Sequence, residues 1–327
     1  MKMTKFAGAL LSALIALIFT ACGGNQAFKV KGKIDGFSTQ NLHIVYNDGA
    51  QLKAVTIAAI DSKFEFEGNS PEGTVVEIFN NQRLPIGIFF AKNGEEIEVE
   101  LKATDRNYLK AKGDETSTKL ADFLAQNSDD LNGAIARMVS KNPDSLLSAI
   151  LLGYCYDPSK DPDEAGELYN LIDYTGMPQS VNAGVKEMMA RYTEANTVGE
   201  MRLLCAADSM MTFSPADKGV TLYCFDSRSL LPDSIKNQFD SIPSTNVSIA
   251  FLRMRPDTLT WGRSTSRLPE RVVSLWAPAG AAEPCLTNLN IVDIPYYIVA
   301  DKEGKQLYRG NDFDAASSTI AKSIGNK

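Results

Sequence analysis

The hydrophobic periodicity of this 327-residue chain changes twice, and each change limits the fold of the block that follows it. From Phe28 to residue 114, apolar and polar residues alternate, as in Phe28-Lys-Val-Lys-Gly-Lys-Ile. About seven or eight such segments follow one another at a spacing of about 8–12 residues, with turn signals such as Asn93-Gly94 between them. This pattern predicts an antiparallel β-sandwich or barrel over residues 28–114.

Residues 115–198 have the periodicity of helices instead. Leu131, Ile135 and Met138 fall on one face at positions i, i+4 and i+7. The acidic pair Asp163-Glu164 suits the first turn of a helix, where carboxylates interact favourably with the helix dipole, better than it suits an acid/base role. We expect four or five helices that act as a spacer.

Strand and helix patterns alternate from residue 199 to the end. The run 219–225 is almost continuously apolar, as in a strand that is covered on both faces. The further elements expected are a helix over 232–242, a strand over 246–254, a hairpin over 293–310 and a helix over 315–324. A β-α-β unit followed by a hairpin and a helix predicts a layered α/β domain with a mixed sheet.

Charge and residue counts exclude several classes of function. The isoelectric point is near 5.0 and the net charge is −7, which argues against nucleic-acid binding. The single histidine, His43, lies in a predicted strand, so histidine metal sites and a Ser-His-Asp triad are improbable. The five cysteines contain no C-x-x-C pair. We expect no metal and no cofactor.

The N-terminal residues have the pattern of a secretion signal. Lys2 and Lys5 precede an apolar run over 6–19, which is shorter than the ~20 residues that a membrane span needs. Phe19-Thr-Ala-Cys22 resembles the bacterial lipobox, although Phe replaces the usual Leu. The resemblance implies a signal peptide over 1–21 and a lipid on Cys22; the alternative is an ordinary signal peptide with an incidental cysteine.

A lipid on Cys22 would anchor the mature chain to a membrane through a linker over residues 22–27. The expected location is the cell envelope of a Gram-negative bacterium. Gly23-Gly-Asn-Gln26 lacks an acidic cluster that would resemble a surface-export signal, so the periplasmic face is favoured over the cell surface.

The order of elements after residue 199, with Ile294-Pro295 at the start of a strand, resembles the thioredoxin-like domain of TlpA-like thiol-disulfide oxidoreductase lipoproteins. Pro295-Tyr-Tyr-Ile-Val-Ala-Asp-Lys-Glu-Gly is similar to the hairpin of that family, which begins with a cis-proline. The β-rich block resembles a domain of unknown function that precedes such modules. The resemblance implies a multi-domain α+β chain with a C-terminal thioredoxin-like domain over 199–327. It also implies a peptide-binding groove at Ile294 and Pro295.

The redox motif of the family is absent. Where the family has Phe-Asp-Pro-x-Cys-x-x-Cys, this chain reads Phe225-Asp226-Ser-Arg-Ser229-Leu-Leu-Pro232. Ser229 and Pro232 therefore replace the two cysteines. Dithiol exchange needs a thiolate nucleophile and a resolving thiol, and neither Ser nor Pro supplies one.

Two of the remaining cysteines are weak catalytic candidates. Cys224 ends the predicted strand five residues before Ser229, and the side chain could point into the core or toward the site. Cys285 follows Trp276-Ala-Pro, a run that resembles thioredoxin motifs. However, only ten residues separate Cys285 from Pro295, too few for the helices and strand that lie between motif and cis-proline in that family. In an envelope protein, Cys155–Cys205 or Cys224–Cys285 disulfides are also conceivable.

Three functions follow from this sequence. The favoured one is a non-catalytic lipoprotein whose redox-inactive thioredoxin-like domain binds an envelope protein or peptide beside Pro295. The second is a thiol-disulfide or peroxide-handling enzyme that uses a single cysteine, Cys224 or Cys285. The third is an envelope scaffold whose interaction surface is the β-sandwich.

Overall fold

The computed structural model describes residues 27–158, 161–194, 197–205, 209–215, 219–228, 231–255, 268–289, 291 and 293–325. The signal peptide, the lipobox with Cys22, and Ser229 of the predicted redox loop lie outside the described residues. No helix in the described part of the chain is long and apolar enough to cross a membrane.

Eight strands form the N-terminal β-sandwich: β1 Phe28–Asp35, β2 Gln40–Asn47, β3 Leu52–Ala59, β4 Lys63–Gly68, β5 Thr74–Phe79, β6 Pro85–Ala91, β7 Glu96–Lys102 and β8 Asp105–Lys112. One sheet has the order β4-β1-β7-β8 and the other β3-β2-β5-β6. Pairing is antiparallel except between β1 and β7, which run parallel with Lys29 beside Glu96. The wholly antiparallel pairing that the sequence suggested is therefore wrong at this one pair, because β7 returns to the middle of the first sheet beside the N-terminal strand.

The alternation of apolar and charged residues along a strand explains why such segments form a sandwich. In β4, Phe64 and Phe66 are buried while Lys63, Glu65 and Glu67 are exposed. Strand β4 thereby places one apolar row in the shared core and one charged row in water.

The described part of the central block contains five α-helices: α1 Glu115–Gln126, α2 Leu131–Lys141, α3 Leu146–Ile150, α4 Pro162–Leu171 and α5 Gln179–Glu194. A π-helical turn, Leu151–Cys155, continues α3. The Asp114 carboxylate caps α1 by accepting from the Ser117 N–H, and Asp161 caps α4 in the same way. Asp163 and Glu164 lie in the first turn of α4, as the sequence indicated.

These helices pack directly on the sandwich. One continuous hydrophobic core extends from Phe28 in β1 to Val185 in α5. Two buried serines connect the layers: the Ser180 hydroxyl donates to the Gly73 carbonyl over 2.6 Å, and the Ser117 hydroxyl donates to the Phe90 carbonyl over 2.6 Å. The helical block is part of the N-terminal unit and does not merely separate two domains.

The C-terminal block is a seven-stranded mixed sheet with helices. Its elements are β9 Met201–Cys205, β10 Met210–Phe213, β11 Val220–Asp226, α6 Asp233–Ser241, β12 Val247–Arg253, β13 Val272–Trp276, β14 Tyr296–Asp301, β15 Gln306–Gly310 and α7 Phe313–Gly325. The strand order is β10-β9-β13-β12-β11-β14-β15, in which β11, β12 and β13 are parallel.

This block has the layered α/β form that the sequence predicted. Helix α6 connects the parallel strands β11 and β12, and the Ile294–Pro295 peptide that precedes β14 is cis. The predicted fold class is confirmed: a β-rich N-terminal region, helices in the middle and a thioredoxin-like α/β region at the end. The sequence did not predict the hairpin β9–β10 or the strand β13, which extend the sheet on the side of β12.

Different parts of the chain cover the two faces of this sheet. Residues of α6 and α7, among them Phe239 and Ile320, cover one face. On the other face, Leu84 from the β5–β6 loop of the sandwich joins a core that contains Tyr296 and Leu286. The N-terminal unit therefore completes the core of the C-terminal domain.

Candidate functional site

The candidate site lies where β11 ends beside the beginning of β14. Phe225 of β11 pairs with Tyr296 of β14, and this register carries Asp226 to the level of Pro295. The structure thus brings together two of the residues selected from sequence, Asp226 and Pro295, at the carboxyl end of β11. In open α/β sheets, ligands bind in crevices outside this end of the strands.

Arginines surround the Asp226 carboxylate. Asp226 is fully buried, and its Oδ1 accepts the main-chain N–H of Arg228 over 2.6 Å. The Arg228 guanidinium closes on Oδ2, with Nε at 2.7 Å and Nη2 also bonded. Burial lowers the pKa of Arg228, but its hydrogen bonds to Asp226 outweigh this effect and hold that pKa above its usual value.

A second arginine lies on the other side of the same carboxylate. Arg253 at the end of β12 is fully buried, and Nη1 lies 3.9 Å from Asp226 Oδ1. Next along the chain, Arg255 donates from Nη1 to the Ser227 carbonyl over 3.3 Å, and its own carbonyl accepts from the Trp276 indole N–H. These contacts fix the start of the loop that follows β11.

The end of this loop is apolar and has no side-chain donor or nucleophile. Leu231 is buried in the core beneath α6. Pro232 is the N-cap of α6 and makes no side-chain capping bond. At the helix N-terminus, where the resemblance implies a cysteine, the chain has a residue with no nucleophilic atom.

Cys224 points into the core. It is fully buried among Leu231, Phe239 and Val299. Burial, and next the Asp226 carboxylate, raise the pKa of the thiol well above its usual value. From the sequence, the Cys224 side chain could have pointed into the core or toward the site, and the structure shows that it points into the core. This thiol therefore does not line the surface of the site.

Cys285 lies apart from the loop, in the turns between β13 and β14. The side chain is half-buried. Burial and then Glu283 raise the pKa of this thiol, against the opposing effect of the main-chain N–H groups of Cys285 itself and of Arg202.

The other described cysteines are not part of the site. Burial raises the pKa of Cys155 to about 12, and Cys205 Sγ lies 3.3 Å from Ser209 Oγ. The four described cysteines form no disulfide with one another, so neither conceivable pairing is present. No group of three or more metal-ligating side chains occurs in the described ranges.

The segment before the cis-proline is held by its own side chains. Asp293 Oδ1 accepts the Ile294 N–H over 2.8 Å, while Oδ2 accepts from the Asn311 amide over 3.1 Å. Ile294 and Pro295 are half-buried, so part of each faces solvent. The Ile294 N–H that would meet a peptide in a thioredoxin-like groove already has a partner.

Sequence reasoning missed the two arginines that lie beside the Asp226 carboxylate. Arg253 ends the apolar run of β12, and Arg228 follows Asp226 at i+2. A charged residue at the end of a buried strand, next to an acidic one at the end of the neighbouring strand, is the signal that could have identified this pair.

One family model matches the N-terminal region. Residues 28–120 match DUF4369, a domain of unknown function. The DUF4369 match covers the whole sandwich and the first part of α1. No curated protein matches this chain.

Similar solved structures include several thioredoxin-like proteins. One, from Bacteroides caccae, is 11% identical with a TM-score of 0.46, and the match covers 59% of this chain and 76% of that one. A thiol-disulfide oxidoreductase from Bacteroides fragilis is 13% identical with a TM-score of 0.33, covering 38% and 98% of the two chains. ScoI from Arabidopsis thaliana with copper bound is 11% identical with a TM-score of 0.32, covering 40% and 99%.

Proposed function

We propose that this chain is a lipid-anchored envelope protein whose thioredoxin-like domain binds a protein or peptide and carries out no thiol-disulfide exchange. The observation that carries the proposal is the composition of the loop after β11. An ion pair between Asp226 and Arg228 occupies its start, and Pro232 stands at the helix N-terminus. Dithiol exchange needs a low-pKa thiolate, which Ser229 does not supply, and a resolving thiol, which Pro232 does not supply.

The nearest thiol does not replace the lost motif. A thiolate at Cys224 would lie in a hydrophobic core beside the Asp226 carboxylate, and both surroundings oppose ionisation. Attack on a disulfide also requires access, which the complete burial of Cys224 denies.

Binding beside Pro295 remains chemically available. The exposed parts of Ile294 and Pro295 offer an apolar surface. A peptide that pairs with Ile294 would have to displace the Asp293 carboxylate from the Ile294 N–H, a local change that breaks one hydrogen bond of 2.8 Å. Asp293→Ala would release that N–H and is expected to strengthen peptide capture.

One observation favours the alternative, a single-cysteine enzyme. Cys285 is half-buried, and the main-chain N–H groups of Cys285 and Arg202 oppose the rise in its pKa that burial and Glu283 cause. In this alternative Cys285 would be the nucleophile, and a second thiol from the substrate would resolve the mixed disulfide.

The experiment that separates the two functions is the alkylation rate of each cysteine in the folded, reduced protein, resolved by peptide mass spectrometry. Between about pH 5 and pH 9, the proposal expects slow labelling of Cys224 and Cys285 with midpoints above the ~8.5 of a free thiol. Rapid labelling of either residue with a midpoint well below that value would support the enzyme.

The anchor needs its own test. Metabolic labelling with a radioactive fatty acid should mark the wild-type protein and leave a Cys22→Ala variant unlabelled and released from membranes. Equal membrane retention of the two forms would contradict the anchor without affecting the proposal for the thioredoxin-like domain.

A further inference from the structure

Strand β3 has an open edge in the DUF4369 domain. It is the outermost strand of the sheet β3-β2-β5-β6, and on one side it pairs with β2 in continuous register from Gln40–Ala59 to Asn47–Leu52. On the other side, no strand of the described chain pairs with it. An unpaired edge exposes main-chain donors and acceptors that another strand can use.

The register shows which peptide groups face outward. The Asp48 N–H donates to the Gln51 carbonyl over 3.0 Å, so this pair is of the hydrogen-bonded kind. Because the two kinds of pair alternate in an antiparallel ladder, Lys53, Val55 and Ile57 bond toward β2. The intervening residues direct their N–H and C=O groups away from the sheet: Leu52, Ala54, Thr56 and Ala58.

The open edge has a definite end. Ile60 and Lys63 exchange two main-chain hydrogen bonds of 2.9 Å across the turn Asp61-Ser62, and this turn occupies the edge beyond Ala59. The stretch available for pairing is therefore Leu52 to Ala58, whose middle residue is Val55.

This edge lacks the features that protect its neighbour. Leu52 is 56% exposed and Val55 is 37% exposed. The single charged residue of the strand is Lys53, which pairs with Asp48 at 3.0 Å. By contrast, β4, an edge strand of the other sheet, alternates Lys63, Glu65 and Glu67 along its exposed face. Charged edges resist strand addition, and apolar ones invite it.

We propose that β3 pairs antiparallel with β3 of a second copy of this chain, about a two-fold axis at Val55. Every outward-facing peptide group of Leu52–Ala58 then gains a partner. Val55 faces Val55 of the second copy, Ala54 faces Thr56, Lys53 faces Ile57 and Leu52 faces Ala58. No two like charges are opposed, so the strand is complementary to itself.

The apolar residues favour the same partner. Val55 and Ile57 lie on the face of the sheet that carries the buried residues Ile44 and Leu42, but they are only partly covered. Two copies joined at Val55 would extend this apolar row across the axis and cover it. The interface is a single strand pair, below the roughly 1,200 Å² of a stable complex, so we expect a weak dimer.

Cysteine cross-linking tests the register. Residues opposed in a non-hydrogen-bonded pair have Cα atoms about 4.5 Å apart, within the range of a disulfide. Under mild oxidation Val55→Cys should give a disulfide-linked dimer, in which mass spectrometry identifies a peptide pair joined through the substituted position of both copies. Thr56→Cys is the matched control one residue away and faces Ala54, so it should cross-link at least about tenfold less.

Sedimentation tests the association itself. At about 100 µM the wild-type chain should show a concentration-dependent dimer, because single-strand interfaces give weak affinities. Val55→Lys opposes two lysines at the axis and should leave only monomer, whereas Leu171→Lys, at an exposed position on α4, should behave as wild type. A monomeric wild type, or equal cross-linking at positions 55 and 56, would overturn the proposal. Capture of a strand from another protein by a monomeric chain would overturn it too.

Discussion

The main-chain N–H of Ala281 donates to the carbonyl oxygen of Gln82 over 3.0 Å, and this bond joins the N-terminal β-sandwich to the C-terminal α/β domain. The Asn80 side chain holds the loop around Gln82 by accepting the N–H groups of Gln82 and Leu84. Leu84 is thereby placed in the core of the C-terminal sheet. The two domains should unfold as one unit.

Gly280→Ala should weaken this junction. Gly280 has a φ of +63°, and an added Cβ would lie 2.4 Å from the Gln82 carbonyl oxygen. We expect the free energy of unfolding to fall by about 1–3 kcal/mol, measured by urea denaturation. Gly166→Ala in α4 is the control, since an added Cβ there meets nothing within 4 Å. Equal stability of the Gly280 variant and wild type would show that the junction is not under this constraint.

Arg228→Ala should destabilise the fold although the arginine lies partly at the surface. Its loss would leave the fully buried Asp226 carboxylate without its closest partner. Leaving a buried acceptor without a hydrogen-bond partner costs about 1–3 kcal/mol. As a control, Lys302→Ala removes an exposed pair with Glu303 and should change stability by less than about 0.5 kcal/mol. A change of that small size in the Arg228 variant would contradict a structural role for the pair.

Glu95 should make stability depend on pH. Burial, and then the neighbouring Asp114 carboxylate, raise the pKa of Glu95 from 4.5 to about 7. Between these two values the folded state holds a proton that the unfolded state has released. The contribution of protonated Glu95 is therefore present at low pH and is lost as the pH rises through 7.

The measurement is the melting temperature at about pH 5 and at about pH 8. Glu95→Gln should reduce the loss of stability between the two, because a neutral amide cannot ionise. Glu67→Gln, at an exposed carboxylate paired with Lys29, should leave the pH dependence as in wild type. If the melting temperature falls by the same amount between these pH values in Glu95→Gln and in wild type, Glu95 is not the source of the pH dependence.

The sequence predicted those strands in which apolar and polar residues alternate. The strand β4 was predicted because Phe64 and Phe66 alternate with charged residues. The pairing of β1 with β7 could not be predicted in this way, because alternation fixes which face a side chain takes and not which strand lies beside it. Strand β13 was missed because Val272–Trp276 is short and leads into a Gly/Pro-rich run that resembles a loop.

The candidate site was only partly predictable. The position of Pro295 followed from a local motif, and the cis peptide before it is present. The partnership of Asp226 with Arg253 joins residues 27 positions apart and depends on the β11–β12 register, which the sequence does not specify. The inward orientation of Cys224 could not be predicted either, because it depends on which face of β11 is covered by the helices.

Reduction of insulin disulfides by dithiothreitol, followed by the turbidity of the released B chain, tests the central claim most directly. The account predicts that the wild-type protein does not accelerate the reaction above the uncatalysed rate. Acceleration by the wild type that disappears in Cys224→Ser or in Cys285→Ser would contradict it and establish a single-cysteine oxidoreductase.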